Sequence, residues 1–353
     1  MTNQKKPTKT TLQTLAGKLG ISKTTVSLVL KGDGDRYRIS RKTQQRVLEC
    51  AEKEGFVPDF LARALATNKT ATIGIIFPDV HESFMSEMLK GIESVFYESD
   101  YSLMISTSGF DTEIEDRNIR QMLHKKVDGL ILVPYVPIAR NNYKHSYMKL
   151  LSKTDCPFVF ADRLPENAGS LNWIIQDDFE AAEKAVCLLF EKGCRSIGCM
   201  SFNLSTSSIN NRLEGFKSGI EGCGLPLSSR SIILLDRQDP HSDDITGRLL
   251  RDNSLRTEYD GLLITTGGLA HKTGYLLRKA LPADKVPVIA KFGRDPDYFD
   301  TGMIQIIQPN VNMGIAAARV LLDKILNRDR SPIQKILKSR IIDIGEKNEE
   351  KCN

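Results

Sequence analysis

Beyond residue 70 the chain alternates between short apolar runs and segments of helical periodicity. The apolar runs lie at 72–77, 128–133, 157–161, 196–200, 232–235, 261–264 and 286–292. The helical segments lie at 84–99, 112–126, 178–193, 209–222, 243–251 and 269–280. Strands that alternate with helices form parallel sheets covered by helices. The pattern restarts at residue 178, so it predicts two α/β lobes with a cleft at the strand ends, where open α/β sheets bind ligands.

The first 70 residues differ in charge from the rest of the chain. They contain 14 Lys and Arg against 6 Asp and Glu, a net charge of +8, whereas residues 71–353 carry a net charge of −3. A basic segment on a mildly acidic body predicts that the basic segment binds a polyanion. A solvated charged surface is the alternative.

Three short helices are predicted in the basic segment. Thr11, Ser22 and Ser40 each provide an N-cap before a run of helical spacing, and Gly20 and Gly55 end the first and third runs. Two helices joined by a short Gly-containing turn form a helix-turn-helix, whose second helix enters the major groove of DNA. That helix begins with small hydrogen-bonding groups and one cation: Lys23, Thr24, Thr25 and Ser27. A three-helix bundle that binds protein is the alternative.

A very short apolar helix is predicted to follow. Pro58 breaks the chain, and residues 60–66 form fewer than two helical turns before a polar joint at 67–70. A helix of this length is marginal alone in water and needs a partner. Next to a DNA-reading head, such a helix is suited to wedge into the minor groove.

These segments resemble the head of the LacI/GalR family of bacterial transcription regulators. The resemblance lies in residues 11–16, 20–27, 47–48, 55–58 and 61–65. It implies a homodimer bound to a near-palindromic, double-stranded operator, with hinge helices that order on DNA. The DNA-contacting residues that it implies are Thr11, Ser22, Lys23, Thr24, Thr25, Ser27, Leu28, Arg38, Leu61, Arg63 and Leu65.

Two of these positions have particular consequences. Leu65 matches the hinge leucine that such regulators push between two central base pairs. Leu28 departs from the family, which usually carries an arginine or another polar reader there. A leucine cannot form a bidentate contact with guanine, so the base read at this position differs from the family pattern.

The remainder of the chain resembles the body of the same family, which is similar to periplasmic sugar-binding proteins with crossovers between two lobes. The matching segments are 127–131, 157–163, 176–178, 212–216, 308–309 and 313–314. The expected fold is an all-α helix-turn-helix head joined by a hinge helix to an α/β two-lobed, periplasmic-binding-protein-like body. The expected domains are the DNA-binding head at 1–57, the hinge and linker at 58–70, and the effector-binding and dimerisation body at 71–353. Lobe 1 is expected at about 71–162 and 305–330, and lobe 2 at about 163–304 and 331–345.

Five body residues are predicted to bind an effector: Phe84, Asp162, Arg163, Arg212 and Asp295. Asp162 and Arg163 follow a strand end, where they either grip a ligand or form a structural ion pair. Arg212 matches the arginine by which family members hold effector, and a surface arginine is the alternative. Phe84 either stacks on the ligand or packs in the core.

The body also departs from the family around this site. Family members commonly carry an acid near 290–293, where this chain reads Ala-Lys-Phe-Gly. Either Asp295 or Asp297 replaces that acid, or the effector is not a simple sugar. Gly267 and Gly268 are predicted to form a loop turn rather than a phosphate cradle.

Several classes of function lack their motifs in the sequence. The chain has no dinucleotide or P-loop glycine motif, no metal-ligand spacing among its 5 histidines, and no nucleophile elbow, so neither an enzyme, a metal site nor a cofactor is predicted. It has 7 scattered cysteines, no secretory signal and no apolar run of about 20 residues, which predicts a cytoplasmic protein that does not bind membranes. The predicted function is an operator-binding transcription regulator, expected to be a repressor, that responds to a sugar-like effector. A solute-binding protein is the alternative.

Overall fold

The computed structural model describes residues 10–56, 64, 67–81, 83–135, 146–165, 168–204, 206–235, 259–294, 302–327 and 331–343. The chain divides into two compact units, Met1–Thr70 and Ala71–Asn353. The first unit is called the head and the second the body. Within the described residues, no helix is long and apolar enough to cross a membrane.

The described part of the head contains the helices α1 (Leu12–Leu19), α2 (Lys23–Leu30) and α3 (Arg41–Lys53). The three helices begin at the predicted caps, where Thr11, Ser22 and Ser40 each accept a hydrogen bond from a backbone N–H in the first turn. Gly20 ends α1 with φ +65, a left-handed conformation that glycine adopts without steric cost. The core of the head is apolar and contains Leu15, Ala16, Val26, Val29, Val47 and Ala51.

Within the described residues, the body contains every predicted strand and helix in the predicted order, together with elements that were not predicted at 102–107, 147–151, 173–176, 304–307, 310–327, 334–337 and 340–342. The first are β1 (Thr72–Phe77), α4 (Ser83–Phe96), β2 (Ser102–Thr107), α5 (Thr112–His124), β3 (Gly129–Leu132), α6 (Tyr147–Leu151), β4 (Phe158–Ala161), β5 (Trp173–Gln176), α7 (Asp178–Glu191) and β6 (Ile197–Phe202). The next are α8 (Ser207–Gly222), β7 (Ile232–Leu235), β8 (Gly261–Ile264), α9 (Gly267–Ala280), β9 (Val288–Phe292), β10 (Ile304–Ile307), α10 (Asn310–Asn327), β11 (Gln334–Leu337) and β12 (Arg340–Ile342). The predicted helix at 243–251 lies outside the described residues.

Within the described residues the body has two six-stranded sheets, one for each lobe. Lobe 1 has the strand order β11-β5-β4-β3-β1-β2, and all neighbouring strands are parallel. Lobe 2 has the order β12-β10-β9-β8-β6-β7, which is parallel except for the antiparallel pair of β10 and β12. Helices α4 and α10 cover one face of the lobe 1 sheet, and α7 and α8 cover one face of lobe 2. This arrangement confirms the predicted two-lobed α/β class.

The strand pairing corrects three of the expected lobe boundaries. Strand β5, expected within lobe 2, pairs with β4 in lobe 1. Strand β10 was expected at the start of the second lobe 1 segment but pairs with β9 in lobe 2. Strand β11, expected in lobe 2, pairs with β5 in lobe 1. The expected boundaries were wrong because four-residue strands carry too little hydrophobic pattern to show which strand they pair with. The crossovers between the lobes lie at the ends of β5, β10 and β11.

The crossovers after β5 and β11 are hydrogen-bonded to each other. The backbone N–H of Asp177 donates to the Leu337 carbonyl at 3.1 Å, and the Ser339 N–H donates to Asp177 Oδ1 at 2.8 Å. Lys338 also forms an ion pair with Glu180 at the start of α7. The two crossovers therefore form one connection between the lobes.

Candidate functional site

The start of α2 carries the exposed side chains of the predicted recognition helix. Lys23 and Thr24 are exposed, and Ser27 is half-buried. Ser22 Oγ accepts a hydrogen bond from the Thr25 N–H at 3.0 Å, and the two hydroxyl oxygens lie 2.8 Å apart. The cap thus fixes the start of the helix, while Lys23 and Thr24 extend into solvent.

The other predicted DNA contacts have different settings in the head. Thr11 is exposed, and its Oγ1 caps α1 by accepting a hydrogen bond from the Thr14 N–H at 3.2 Å. Leu28 is half-buried on α2. Arg38 is exposed in the loop before α3, with a left-handed φ of +54. Three predicted hinge contacts lie outside the described residues: Leu61, Arg63 and Leu65.

The head carries further exposed cations that sequence reasoning did not single out. They include Lys31, Arg36, Arg41, Lys42 and Arg46. Their only signal in the sequence is the excess positive charge of residues 1–70. Exposed cations of this kind are the groups that bind phosphates in nucleic-acid-binding domains.

A cavity of about 570 Å³ lies between the two lobes of the body. Its walls are the loops and helix starts that follow the carboxyl ends of the strands. Lobe 1 contributes the start of α4, the loop after β4 and the start of α10, and lobe 2 contributes the loops after β6 and β9 and the starts of α8 and α9. The structure brings four of the predicted effector residues together here: Phe84, Asp162, Arg163 and Arg212. Asp295 lies outside the described residues.

Asp162 and Arg163 form a tight turn at the end of β4. Asp162 has φ +63, and the Arg163 N–H donates to the Ala161 carbonyl at 2.6 Å, which closes a three-residue turn. A left-handed residue other than glycine is uncommon, and aspartate is one of the few types that adopt it readily. Arg163 Nε lies 3.1 Å from Asp162 Oδ2, so the pair lines the cavity and also forms an ion pair.

Arg212 lies in the wall of the cavity and is only 5% exposed. Its Nε donates to Asp178 Oδ1 at 2.7 Å, and its Nη1 donates to the Thr265 carbonyl at 2.6 Å. The guanidinium carbon lies 4.0 Å from the centroid of the Phe292 ring, a cation–π geometry. The alternative of a surface arginine is therefore wrong.

Asp178 is the buried partner of this arginine, with 2% exposure. Burial raises the pKa of Asp178 to about 7; the Arg212 guanidinium lowers it, and the Asp162 carboxylate adds to the rise. Gln176 Nε2 also donates to Asp178 Oδ1, at 2.8 Å. The orientation of Arg212 in the cavity wall thus depends on a buried polar network at the start of α7.

The structure also shows the setting of Phe84 and of the segment at 290–293. Phe84 is half-buried and both lines the cavity and packs against the core of lobe 1. In the segment where family members commonly carry an acid, Lys291 is fully buried, and its Nζ donates to the Gly293 carbonyl at 3.2 Å. Asp297, like Asp295, lies outside the described residues.

Other cavity residues were missed by sequence reasoning. Gly267 and Gly268 form the first turn of α9 and line the cavity, so their prediction as a loop turn is wrong. Thr266 occupies the N-cap position of this helix without a side-chain capping bond, and Asn310 begins α10, where its Nδ2 donates to Glu87 Oε2 at 2.7 Å. The available signal was their position just after β8 and β10, because parallel strands end at the same edge of a sheet.

The lobes also contact each other next to the cavity. The Leu164 N–H of lobe 1 donates to Ser207 Oγ of lobe 2 at 2.9 Å. Tyr135 of lobe 1 packs with Leu204 and Ile209 of lobe 2 in a small apolar cluster. A change in the angle between the lobes has to break or rearrange these contacts.

A buried carboxyl group supports this contact from lobe 1. Glu115 is 2% exposed, and its Oε2 accepts a hydrogen bond from the Tyr135 N–H at 2.9 Å. Burial raises the pKa of Glu115 to about 7, although the Tyr135 N–H and the charge of Arg163 lower it. This group therefore titrates near neutral pH.

A helix-turn-helix head and a two-lobed body with a polar cavity at its strand ends define a DNA-binding regulator with a ligand-binding domain. Residues 11–59 match the family described as bacterial regulatory proteins, lacI family. Residues 70–280 match the family described as periplasmic binding proteins and sugar binding domain of LacI family. The chain belongs to the LacI family and is a DNA-binding transcriptional regulator with an effector-binding domain.

Relatives and solved structures agree with this assignment. The chain is 27% identical over 326 residues to catabolite control protein A of Priestia megaterium, covering 90% of this chain and 93% of that protein. It is 25% identical to the transcriptional repressor PurR of Vibrio parahaemolyticus, with the same coverage of 90% and 93%. The fold matches the crystal structure of the Lac repressor dimer bound to operator and the anti-inducer ONPF, with a TM-score of 0.80, 18% identity and coverage of 95% and 98%.

Proposed function

We propose that the chain is a repressor whose operator binding is controlled by a sugar or sugar derivative bound between the two lobes of the body. The observation that carries the effector part is the cavity, which places Asp162, Arg163 and Arg212 together although they come from both lobes. Buried charged groups beside a cleft at strand ends are the polar set that orients a small hydroxylated ligand. The family description of a sugar-binding domain supports the same class of ligand.

The DNA-binding part of the proposal rests on the head. Lys23, Thr24, Thr25, Ser27 and Leu28 of α2 contact the major groove, with Ser22 at its N-cap. Thr11 and Arg38 contact the backbone, and Leu61, Arg63 and Leu65 contact the minor groove. Leu28 favours contact with a thymine methyl group over a hydrogen bond to guanine. The exposure of Lys23 and Thr24 at the start of α2 supports this assignment.

The control of DNA binding is proposed to be a linkage between the two units. Two copies of the chain bind two half-sites, and the crystal structure of the Lac repressor as a dimer bound to operator supports this assembly. Effector changes the angle between the lobes and with it the spacing of the hinge helices. Because these events occur on DNA, the protein acts in the bacterial cytoplasm.

A gel-shift titration tests the DNA-binding function. The probe is the promoter DNA that flanks the chain's own gene, and the proteins are the full chain and residues 71–353. The full chain is expected to bind with an affinity that falls steeply with salt, because cations of the head displace counterions. Operator binding by residues 71–353 alone would contradict the assignment of DNA binding to the head.

The same assay distinguishes a regulator from a solute-binding protein. Sugars, sugar acids and sugar phosphates are added to the complex of full chain and operator. A regulator changes its operator affinity when one of them binds. A solute-binding protein stabilises its fold with ligand but binds no specific DNA in this assay.

A further inference from the structure

Two cysteines of lobe 2 lie in direct contact. Cys187 lies in the second half of α7, and Cys223 occupies the C-cap position of α8. Their Sγ atoms are 3.9 Å apart, and the thiol of Cys223 donates a weak hydrogen bond to Cys187 Sγ. Both cysteines are free thiols and only half-buried, so part of each side chain is open to reagents in solvent.

The contact results from the close packing of α7 against α8. A Cβ built on Gly215 would lie 3.0 Å from Ala182 Cβ, and one on Gly219 would lie 3.0 Å from the Glu183 carbonyl oxygen. Ser218 Oγ donates to Glu183 Oε1 at 2.6 Å across the same contact. The two glycines let the backbones approach closely, and the hydrogen bond fixes the register of the two helices.

The cysteines continue this contact by one helical turn. Cys187 is four residues beyond Glu183, and Cys223 is four residues beyond Gly219. Side chains four residues apart lie on the same face of a helix. The contacts advance along α7 and α8 in the same direction, so two rigid elements hold the thiols together.

The distance between the sulfurs allows a covalent bond. A disulfide needs sulfurs about 2.0 Å apart, so the two sulfurs have to approach each other by about 2 Å. Rotation of the two side chains about their Cα–Cβ bonds supplies a movement of this size without separating the helices. In cytosolic proteins such disulfides are usually transient and catalytic or redox-sensing.

The surroundings of the pair favour the thiol form at rest. Burial raises the pKa of Cys187, and the neighbouring Cys223 thiol and the carboxylates of Glu183 and Glu191 add to the rise. The thiolate is the form that reacts with oxidants, so the pair is oxidised slowly near neutral pH. Two free thiols are therefore the resting state of this site.

We propose that Cys187 and Cys223 form a redox-modification site, at which hydrogen peroxide joins the two residues in an intramolecular disulfide. One thiolate attacks an oxygen of the peroxide, the O–O bond breaks, and the leaving hydroxide takes up a proton to become water. The second sulfur attacks the resulting sulfenic sulfur, the S–O bond breaks, and the hydroxide leaves as water with the proton of the second thiol. Two thiols and one peroxide thus give one disulfide and two waters, with two electrons passing from sulfur to oxygen.

The disulfide ties together the two helices that carry the buried ion pair of the cavity wall. Asp178 begins α7 and Arg212 lies on α8, and they are joined at 2.7 Å. Cys187 and Cys223 are 36 residues apart in the chain, so their cross-link also restricts the unfolded chain. Oxidation is therefore expected to hold α7 against α8 and to stabilise lobe 2.

Peptide mapping of the full chain tests the reaction after treatment with hydrogen peroxide at pH 8. Cleavage after Lys and Arg places Cys187 in residues 185–192 and Cys223 in residues 218–230, each without a second cysteine. Mass spectrometry without reductant is expected to find these two peptides joined, with the loss of two hydrogen atoms, in a chain that still migrates as a monomer on a denaturing gel.

Thermal unfolding tests the consequence, with Cys187→Ser and Cys223→Ser as the variants that remove the site. Peroxide is expected to raise the Tm of wild type, and dithiothreitol is expected to reverse the rise. Neither serine variant is expected to show it. Cys50→Ser removes a half-buried cysteine of the head and is the matched control, expected to respond as wild type does.

Several outcomes would overturn the proposal. They are free Cys187 and Cys223 peptides in peroxide-treated wild type, a disulfide between either residue and another cysteine, and a cross-link between two chains. The peptide map of wild type decides these even where a serine variant fails to fold. A disulfide without a rise in Tm, or a rise that persists in a folded serine variant, would overturn the proposed tie between α7 and α8.

Discussion

At the scale of residues, the cavity wall depends on a buried ion pair. Asp178 and Arg212 are joined at 2.7 Å with 2% and 5% exposure, and Gln176 and the Thr265 carbonyl complete their hydrogen bonds. Such a pair contributes little net stability, but removing one partner leaves a buried charge uncompensated. The pair therefore determines the position of Arg212 more than it stabilises the fold.

The first prediction follows from the difference between the small net contribution of the intact pair and the large cost of removing one partner. Arg212→Met is expected to lower the free energy of unfolding by about 3–5 kcal/mol at pH 8, the cost of leaving one buried charge unpaired. Without the guanidinium, the folded-state pKa of Asp178 rises further above its unfolded value near 4. The folded state then binds an extra proton, so the loss is smaller at pH 5.5 than at pH 8. Urea denaturation at both pH values measures the difference.

The control for that experiment is the double variant Asp178→Asn with Arg212→Met. It carries no ionisable group at either position, so its own free energy of unfolding is expected to lack the decrease between pH 5.5 and pH 8 that Asp178 causes in wild type and in the single variant. An equal loss at pH 5.5 and pH 8 in the single variant would show that Asp178 is not the group responsible.

A second prediction concerns Glu115, which is 2% exposed beneath the contact between the lobes. Its pKa in the folded protein is raised to about 7, from the usual value of 4.5. The folded state therefore holds a proton that the unfolded state releases, and stability decreases as the pH rises from about 5 to 8. Glutamine does not ionise, and its side-chain oxygen still accepts a hydrogen bond from the Tyr135 N–H. In Glu115→Gln the decrease in the free energy of unfolding between pH 5 and pH 8 is therefore expected to be smaller by up to about 3 kcal/mol.

Denaturation at pH 5, 6, 7 and 8 tests the effect of this glutamate. The exposed carboxyl of Glu113 in the same helix provides a charge control as Glu113→Gln. Parallel pH profiles of wild type and Glu115→Gln would contradict the prediction.

The sequence allowed only part of the site to be predicted. Asp162, Arg163 and Arg212 were recognisable because they follow strand ends or match a family position, and all three line the cavity. Thr266 and Asn310 also follow strand ends, but they were not selected, because a single polar residue at a helix start is more often a simple cap. That both line the cavity depends on the three-dimensional arrangement of the two lobes.

At the scale of elements, close contacts between helices rely on glycine. A Cβ built on Gly215 of α8 would lie 2.2 Å from the Phe179 carbonyl oxygen of α7, and one on Gly219 would lie 2.7 Å from Val186 Cβ. The pair α4 and α10 shows the same arrangement, since a Cβ on Gly314 would lie 2.0 Å from the Met88 carbonyl oxygen. Each lobe thus has one helix pair in which the backbones nearly touch.

The third prediction compares two glycines of the same helix. Gly215→Ala is expected to destabilise the chain by about 1–3 kcal/mol, because a carbonyl of α7 has to move. Gly222 lies at the end of α8, where a Cβ would meet no heavy atom within 4 Å. Gly222→Ala is expected to be neutral or to stabilise by up to about 1 kcal/mol through helix propensity. Chemical denaturation measures both, and equal effects would contradict the close-contact explanation.

The strands and helices with a strong hydrophobic pattern were predictable in their order, but five strands (β2, β5, β10, β11 and β12), two helices (α6 and α10) and the lobe of each strand were not. Strands with strongly apolar runs, such as Thr72–Phe77 and Gly261–Ile264, are buried along their whole length and carry a clear signal. Strand β2 at Ser102–Thr107 lies at a sheet edge with alternating exposure, and its mixed sequence was not recognised. The pairing of β5, β10 and β11 depends on contacts distant in sequence, which local pattern does not encode.

At the scale of the whole molecule, the head and the body differ in net charge and in the site that each contains. The head carries the net charge of +8 and the helix-turn-helix, whereas the body carries −3 and the cavity. Control of one unit by a ligand of the other is then a coupling free energy between two sites. Thermodynamic linkage requires such coupling to act equally in both directions.

The last prediction is this reciprocity in the full chain. If an effector weakens operator binding by a certain factor, saturating operator is expected to weaken effector binding by the same factor, typically about 5- to 150-fold. Fluorescence anisotropy gives operator affinity with and without effector, and isothermal titration gives effector affinity with and without operator duplex.

A duplex of scrambled sequence controls for nonspecific binding of DNA to the basic head. Residues 71–353 alone are expected to bind effector with no response to operator. The contradicting result is an operator affinity that changes with effector while the effector affinity stays the same with and without operator. That result would show that the two ligands do not act through one linked equilibrium.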